Sequence, residues 1–487
     1  MRLLHVDIDT TRGDHLGCYG YHRNTSPNID RVAAEGIRFE QCYVPDAPCL
    51  PSRAALFMGR FGIHTGVVNH GGLRADPYPE GTSREFLTDP RFAHWPAVMR
   101  KLGMRTVTFS PFAERHSAWW FYGGFCEVHD TGKCGGEIAD EVVPGALKWL
   151  GENGREDNWY LHVNMWDPHT PYRTPMEYGN PFADEPGPAW LTDEIIARHR
   201  KSYGPNSASE VHNYWDLTDS KYPREPKQML SAADFKQWID GYDVGIHYAD
   251  MWAGRLFAML EKLGVLEDTA ILISSDHGEN QGELNIYGDH HTADTITSRV
   301  PCILRWPGVA PSVDKGLHYQ GDVATTILQL LGGDAPRGWD FRGFGASLKA
   351  GQSAGRDYLV ISQCAWSCQR SVVWEKWLMM QTYDTGLKAF PSVMLFDTEA
   401  DAHLQSNLAA DKPDVVRQMK GMLDEWRAEM KANADRGPDP MEQVLAEGGP
   451  YHTRNSLAMY AKRLRETGRA RHAEFLETHG GKPIDHA

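Results

Sequence analysis

The sequence predicts an α/β protein, a mostly parallel sheet with helices on both faces, plus a smaller C-terminal antiparallel-sheet subdomain. Three observations predict it. The chain opens on a nearly continuous apolar run, residues 3–9, as in a strand covered on both faces. Helix-period and strand-like segments then alternate at lengths that suit βαβ units. From about residue 351 short strand-like runs follow one another with no helix between them.

The elements follow in order. Residues 27–36 read as a helix, with Ser26 as N-cap and Gly36 as its stop. Three helix–strand pairs come next: 95–102 with 105–109, 137–150 with 159–164, and 235–263 with 269–275. Residues 180–228 break the pattern. They are rich in Pro, Gly, Asn and aromatics, carry one helix at 193–201, and read as an insertion that forms a substrate wall or an oligomer contact. The later strands are 358–362, 370–374, 377–382 and 393–396, followed by a helix at 413–433 and a polar helical tail at 456–477. This divides the chain into a catalytic α/β domain, 1–350, and a C-terminal subdomain, 351–487. There are no internal repeats.

At 487 residues the chain exceeds one ordinary core. Its 41% hydrophobic and 24% charged content is that of a globular protein. A net charge of −15 argues against a dedicated nucleic-acid or anionic-membrane binder. It does not exclude anionic substrates, because a local Arg/His/metal pocket overrides the global field. The eight cysteines show no secreted-framework spacing. Cys364 and Cys368, four apart, suit either packing or a metal. No apolar run is long enough to span a bilayer, and the first residues run straight into a strand. With Met1 as the native start, the expected location is the cytoplasm.

The most informative stretch is Cys49-Leu50-Pro51-Ser52-Arg53, followed by Ala54-Ala55-Leu56-Phe57-Met58-Gly59-Arg60. A Cys just before a Pro that opens a helix sits where exposed N–H groups and the positive dipole end favour an anion. Arg53 comes one turn later on the same face, and its planar fork donates two hydrogen bonds to a tetrahedral oxyanion. Two strands end in acids: Val6-Asp7-Ile8-Asp9-Thr10 and Ser274-Ser275-Asp276-His277-Gly278. Ligand sites in open α/β sheets gather at such strand ends. Carboxylates and a neutral imidazole converging there suit a divalent cation, whereas an Asp alone also serves as a helix cap.

Residue by residue, the Cys49 segment resembles the signature of type I sulfatases, in which this Cys is oxidised to the nucleophile formylglycine. The segment Asp9-x-x-Arg12-x-Asp14-x-Leu16-Gly17 resembles the family's opening motif, and Ser275-Asp276-His277-Gly278 its second metal motif. The likeness spans about residues 1–400. It implies an alkaline-phosphatase-like fold, Asp9, Asp276 and His277 as metal ligands, and Ca²⁺ as the habitual ion, with Mg²⁺, Mn²⁺ or Zn²⁺ compatible with the His. It also implies a partner, a formylglycine-generating or anaerobic sulfatase-maturing enzyme. Pro168-His169-Thr170-Pro171-Tyr172 resembles the family's His motif, which makes His169 a sulfate contact and candidate general acid. The implied mechanism is two-step: the hydrated aldehyde attacks sulfur in line, and its second hydroxyl then expels sulfate.

The chain departs from the family pattern at several places. Thr10 stands where a second Asp is usual; Asp7, on the same strand face as Asp9, is the expected substitute, with Thr10 itself as the fallback. Met58 replaces a Thr, with consequences for helix packing or for recognition by the maturing enzyme. A usual Lys/His pair is replaced around Pro111, where Arg115 and His116 offer the same chemistry in a shifted register. A further Lys is replaced near Asp289, where His290 or His291 would supply charge or order the loop. Trp119, Trp120, Phe121 and Tyr122, with Trp166, are the aromatics available for stacking on a sugar or aryl ring, or for core packing. The expectation is therefore a sulfuric ester hydrolase acting on a sugar or aryl sulfate. The rivals are a phosphonate monoester or phosphodiester hydrolase of the same superfamily and a non-catalytic sulfate binder. The insertion and the tail suit a homodimer or homotetramer.

Overall fold

The structure is a computed structural model that describes residues 1–79, 89–214, 222–434 and 437–484. Residues 215–221 of the predicted insertion lie outside the described residues. Its strands are, in chain order, β1 (Arg2–Ile8), β2 (Ile37–Tyr43), β3 (Asp46–Ala47), β4 (Arg105–Phe109), β5 (Glu127–His129), β6 (Trp159–Met165), β7 (Thr269–Ser274), β8 (Asn280–Gln281), β9 (Tyr287–Asp289), β10 (Cys302–Arg305), β11 (Ser312–Tyr319), β12 (Leu359–Gln363), β13 (Cys368–Trp374), β14 (Trp377–Asp384) and β15 (Val393–Asp397). The helices that position the site are α1 (Pro27–Ala34), α2 (Cys49–Met58), α3 (Trp95–Lys101), α4 (Ala139–Asn153), α5 (Ala232–Leu263), α6 (Gln320–Leu330) and α7 (Pro413–Asn433).

The large sheet has the order β11-β2-β10-β7-β1-β6-β4-β5. Only β10 runs against the rest, antiparallel to both β2 and β7. Strand β1 lies in the centre and is buried along its whole length. Its pleat splits the core. Leu4, Val6 and Ile8 face α4 and α5 on one side, and Leu3 faces α2, α3 and α6 on the other. The parallel registers align the strand ends: Asp7 pairs with Ser274 of β7 and Asn164 of β6. The acids of β1 therefore lie beside the loops that leave β6 and β7.

The smaller sheet has the order β15-β14-β13-β12-β3, antiparallel except where β3 joins β12. Through β3 this sheet borrows Asp46–Ala47 from the segment immediately before Cys49. Helix α7 covers it with Met419, Leu423, Trp426 and Met430. The C-terminal tail is not one helix, as the sequence suggests, but two, Leu457–Glu466 and Ala470–His479. The chain breaks at Thr467-Gly468, where Gly468 takes φ +80°. Nor is the tail simply polar. Tyr460, Leu464 and Leu476 are buried against Tyr203 and Tyr214 of the insertion.

Candidate active site

Helix α2 is buried at every residue. Its N-terminus places Cys49 under the acid-bearing strand ends, and the Ser52 hydroxyl donates to the Asp276 carbonyl (2.5 Å), fixing α2 to the end of β7. Gly59 ends the helix at φ +72°, and a Cβ there would sit 2.0 Å from the Trp339 ring. Met58 is fully buried in the core formed by α2, α3 and α6.

Arg53, one turn after Cys49, links the acids. It donates to Asp7 (2.8 Å), to Asp9 (3.1 Å) and to Asp276. Asp7 also accepts from His162 (3.3 Å), and burial, which would raise its pKa, is outweighed by Arg53 and His162, so Asp7 stays ionised. Asp9 is the opposite case. Burial and the neighbouring Asp276 push its pKa well above the ordinary carboxylate value despite Arg53. Three buried carboxylates around one guanidinium leave negative charge uncompensated.

The same corner holds polar atoms without hydrogen-bond partners among the described residues: Asp9 Oδ1, Thr10 Oγ1 and His277 Nε2. His277 Nδ1–H donates to the Gly278 carbonyl (2.9 Å), which leaves Nε2 as a lone pair. Thr10 takes φ +53°, a strained conformation for a β-branched residue, while its N–H donates to Asp276 (3.2 Å) and its carbonyl accepts from Tyr242 (2.7 Å). Gly278 permits the close approach of the Ile296 carbonyl, which a Cβ would meet at 2.2 Å. Uncompensated acid, orphaned oxygens and an imidazole lone pair fit a divalent cation.

The other side of Cys49 is built of imidazoles. Its Sγ lies 3.2 Å from His116 Nε2 and 3.4 Å from His70 Nε2. His70 Nδ1 is 2.9 Å from Nε2 of His452, contributed by the C-terminal region. His169 and His290 face each other with ring centroids 5.8 Å apart, and His290 lies 4.2 Å from His277. Burial favours the neutral form of His70, His116, His169, His290 and His452. His116 is pushed well below the usual imidazole value by burial, with Arg115 and Arg53 adding to it; His169 by burial, Arg115 and His290; and His70 by burial, His452 and His116. Burial also raises the Cys49 thiol, with Asp9 and Asp276 adding to it, so an unmodified Cys49 is protonated and a weak nucleophile.

Arg115 stacks over the Trp166 ring at 4.8 Å, and Trp166 also stacks on His116. Trp166 is 0% exposed, which corrects its reading as an exposed stacking surface: it is the floor beneath Arg53, Arg115 and His116. Trp120 and Phe121 are likewise core residues, while Trp119 is 51% exposed and donates to Asp76 (3.0 Å). His291 is buried, stacked on Trp366 at 3.9 Å and 3.2 Å from Asp289, so it orders its loop rather than facing Cys49. Cys364 and Cys368 are buried among Val68, Met441 and Val444.

Sequence reasoning missed four residues: His70, His452, His162 and Arg173. Arg173 follows the His169 motif directly, and its buried Nη1 has no hydrogen-bond partner among the described residues. Its signal was a charge two residues beyond a fixed Pro. His70 and His452 are 382 positions apart and carry no local pattern.

Comparison with known proteins places these residues in context. The sulfatase family model matches residues 2–333. An N-acetylglucosamine-6-O-sulfatase of Bacteroides thetaiotaomicron is 23% identical over 91% of this chain and 88% of its own. A solved structure in complex with its substrate D-glucosamine-2-N,6-O-disulfate superposes with a TM-score of 0.71 at 19% identity, over 91% of this chain and 99% of its own. The phosphonate monoester hydrolase of Agrobacterium radiobacter superposes with a TM-score of 0.66 at 19% identity, over 88% and 96%.

Proposed function

The chain belongs to the sulfatase family, and we propose that it hydrolyses a sulfate monoester on an amino sugar through a formylglycine made from Cys49 beside a divalent cation. The observation that carries this reading is Cys49 at the start of α2, with Arg53 bridging three strand-end carboxylates on one side and imidazoles on the other. A protonated thiol in that position has little use as a nucleophile, which supports conversion. Formylglycine supplies a hydrated aldehyde, one hydroxyl to attack sulfur and a second to expel sulfate. The cation supplies positive charge at that oxygen and at the sulfuryl group.

The chain's own residues do the rest. Asp9, Asp276 and His277 hold the cation. Thr10 serves as the further ligand better than Asp7 does: its strained backbone presents an unpartnered oxygen, whereas Asp7 is paired with Arg53 and His162. Arg53 orients position 49 and offsets its charge. His116 and His70 contact position 49 and the sulfuryl oxygens, with Arg115 and Arg173 supplying permanent charge nearby. Anion binding favours the protonated imidazole, so the bound ester itself raises His169 toward the state that protonates the leaving alcohol.

The amino-sugar substrate rests on the relatives: an N-acetylglucosamine-6-O-sulfatase and a structure holding a disulfated glucosamine. A panel of 6-O-sulfated and unsulfated N-acetylglucosamine, choline sulfate and an aryl sulfate tests it. Release of sulfate from the 6-O-sulfated sugar at the highest kcat/KM is the expected result; preference for choline sulfate would contradict it. A second reading, phosphonate monoester hydrolysis, is favoured by the structural likeness to such an enzyme and by the absence of the two lysines usual in the sulfatase motifs, answered by Arg115 and by His290 or His291. Intact mass tests the nucleophile, because conversion of Cys49 lowers the mass by about 18 Da. A protein that is active with an unconverted thiol would refute it.

A further inference from the structure

Before conversion, position 49 is a thiol, and its surroundings have the form of a different metal site. Cys49 Sγ and one ring nitrogen from each of His70 and His116 all lie within 4.8 Å of one another. The two sulfur–nitrogen separations are 3.4 and 3.2 Å. A tetrahedral zinc with its usual bond lengths sets sulfur and nitrogen about 3.6 Å apart. The orientation of His70 is fixed from behind. Its Nδ1 lies 2.9 Å from His452 Nε2; in the tautomer in which Nδ1–H donates to His452, the His70 Nε2 lone pair is turned toward the sulfur. His452 is in turn stacked on Trp366 at 4.4 Å. His116 is held between Trp166 and Phe112. Three donors with a supporting outer partner and an open fourth position describe a Cys-His₂ site for a borderline-soft divalent ion.

We propose that the unconverted protein binds Zn²⁺ through Cys49, His70 and His116, in preference to the grouping of the same sulfur with Asp276 and His277, whose ligand atoms also lie within 4.8 Å of one another. The chemistry favours this choice. Thiolate and imidazole select zinc, whereas the carboxylate corner suits a harder ion and has its Asp276 carboxylate engaged by Arg53. On binding, the thiol proton leaves to solvent, one S–Zn and two N–Zn bonds form, and no electron is transferred. The bound ion caps the sulfur that conversion must oxidise, so the site retains the thiol form and disappears when sulfur is lost. This inference rests on the reading of Cys49 as a thiol awaiting conversion, and the two fail differently. Converted protein reports on turnover, and thiol protein reports on metal.

The experiment uses full-length protein produced without a maturing enzyme, its thiol verified by intact mass, and titrated with Co²⁺ and then Zn²⁺. The expected result is a near-ultraviolet thiolate-to-cobalt charge-transfer band that saturates at one equivalent and is bleached by Zn²⁺. His70→Ala and His116→Ala should each weaken Co²⁺ binding by about 100-fold, the upper end of what even an outer partner contributes. The milder His70→Gln and His116→Gln cover the event that an alanine variant unfolds. Asp9→Asn with His277→Gln should leave the band intact. A wild-type protein with no such band overturns the proposal. So does a band that survives loss of both His70 and His116, or one that depends on Asp9 and His277.

Discussion

The two sides of Cys49 are built by different means. On one side the acids come from two neighbouring parallel strands, so sheet register alone brings Asp7, Asp9 and Asp276 onto Arg53. On the other side His70, His169 and His290 come from separate loops, His116 from the end of the short helix Phe112–His116, and His452 from the C-terminal region. The first side carries fixed charge in excess and calls for a cation. The second carries neutral rings whose charge depends on pH and on what is bound. On the proposed function, the cation side is therefore set by the sheet, and the side that would hold the anion is set by segments outside it.

The largest effect should come from the point where the sides meet. Cys49→Ala should lower turnover by about 10⁴-fold or more, with Tm within about 4 °C of the parent by calorimetry. On the acid side, Asp9 has a raised pKa in the folded protein, so its ionisation opposes folding. Without cation, stability should decline as pH rises from the unfolded value, 3.8, through the folded one. A divalent ion should restore it. Asp9→Asn should remove both the chelator-induced fall in Tm at pH 7 and about 10² of the activity.

On the imidazole side, His169→Ala should cost about 10²-fold on a sugar sulfate and much less on a nitrophenyl sulfate, whose leaving group needs no proton. Equal losses on both substrates would move the acid role elsewhere. Inhibition by free sulfate sharpens the contrast further. His116 and His169 titrate below the ordinary imidazole range, and a bound anion favours their protonated forms. Sulfate should therefore bind more weakly as pH rises from 5 to 8, approaching about tenfold per pH unit for each coupled proton. A grip made of lysines would hold constant over that range. The smallest effect is expected for His452→Gln, which touches His70 only from behind.

The sequence is most legible where a local period or motif carries the information. Strand β4 and helix α7 have the bounds their patterns predict, because β4 is a short run buried on both faces and α7 buries one continuous helical stripe. The acid corner is legible for the same reason: each strand end is one contiguous motif. The tail was joined across Thr467-Gly468 because helical spacing continues on both sides of the turn. Sequence leaves Trp166 open between substrate stacking and core packing, because a Trp after a strand packs either way; only the tertiary structure puts Arg53 and Arg115 above its buried ring. His70 and His452 meet only because the C-terminal region lies back against the Cys49 corner, a contact with no local signature.

The central claim is that this constellation cleaves sulfate esters. It is tested most directly by kcat/KM for 4-nitrophenyl sulfate and for a 4-nitrophenyl phosphonate monoester, measured on one preparation whose Cys49 conversion is verified by intact mass. A clear preference for the sulfate, lost in Cys49→Ala, is the expected result. A preference for the phosphonate, or hydrolysis that persists in Cys49→Ala, would contradict it.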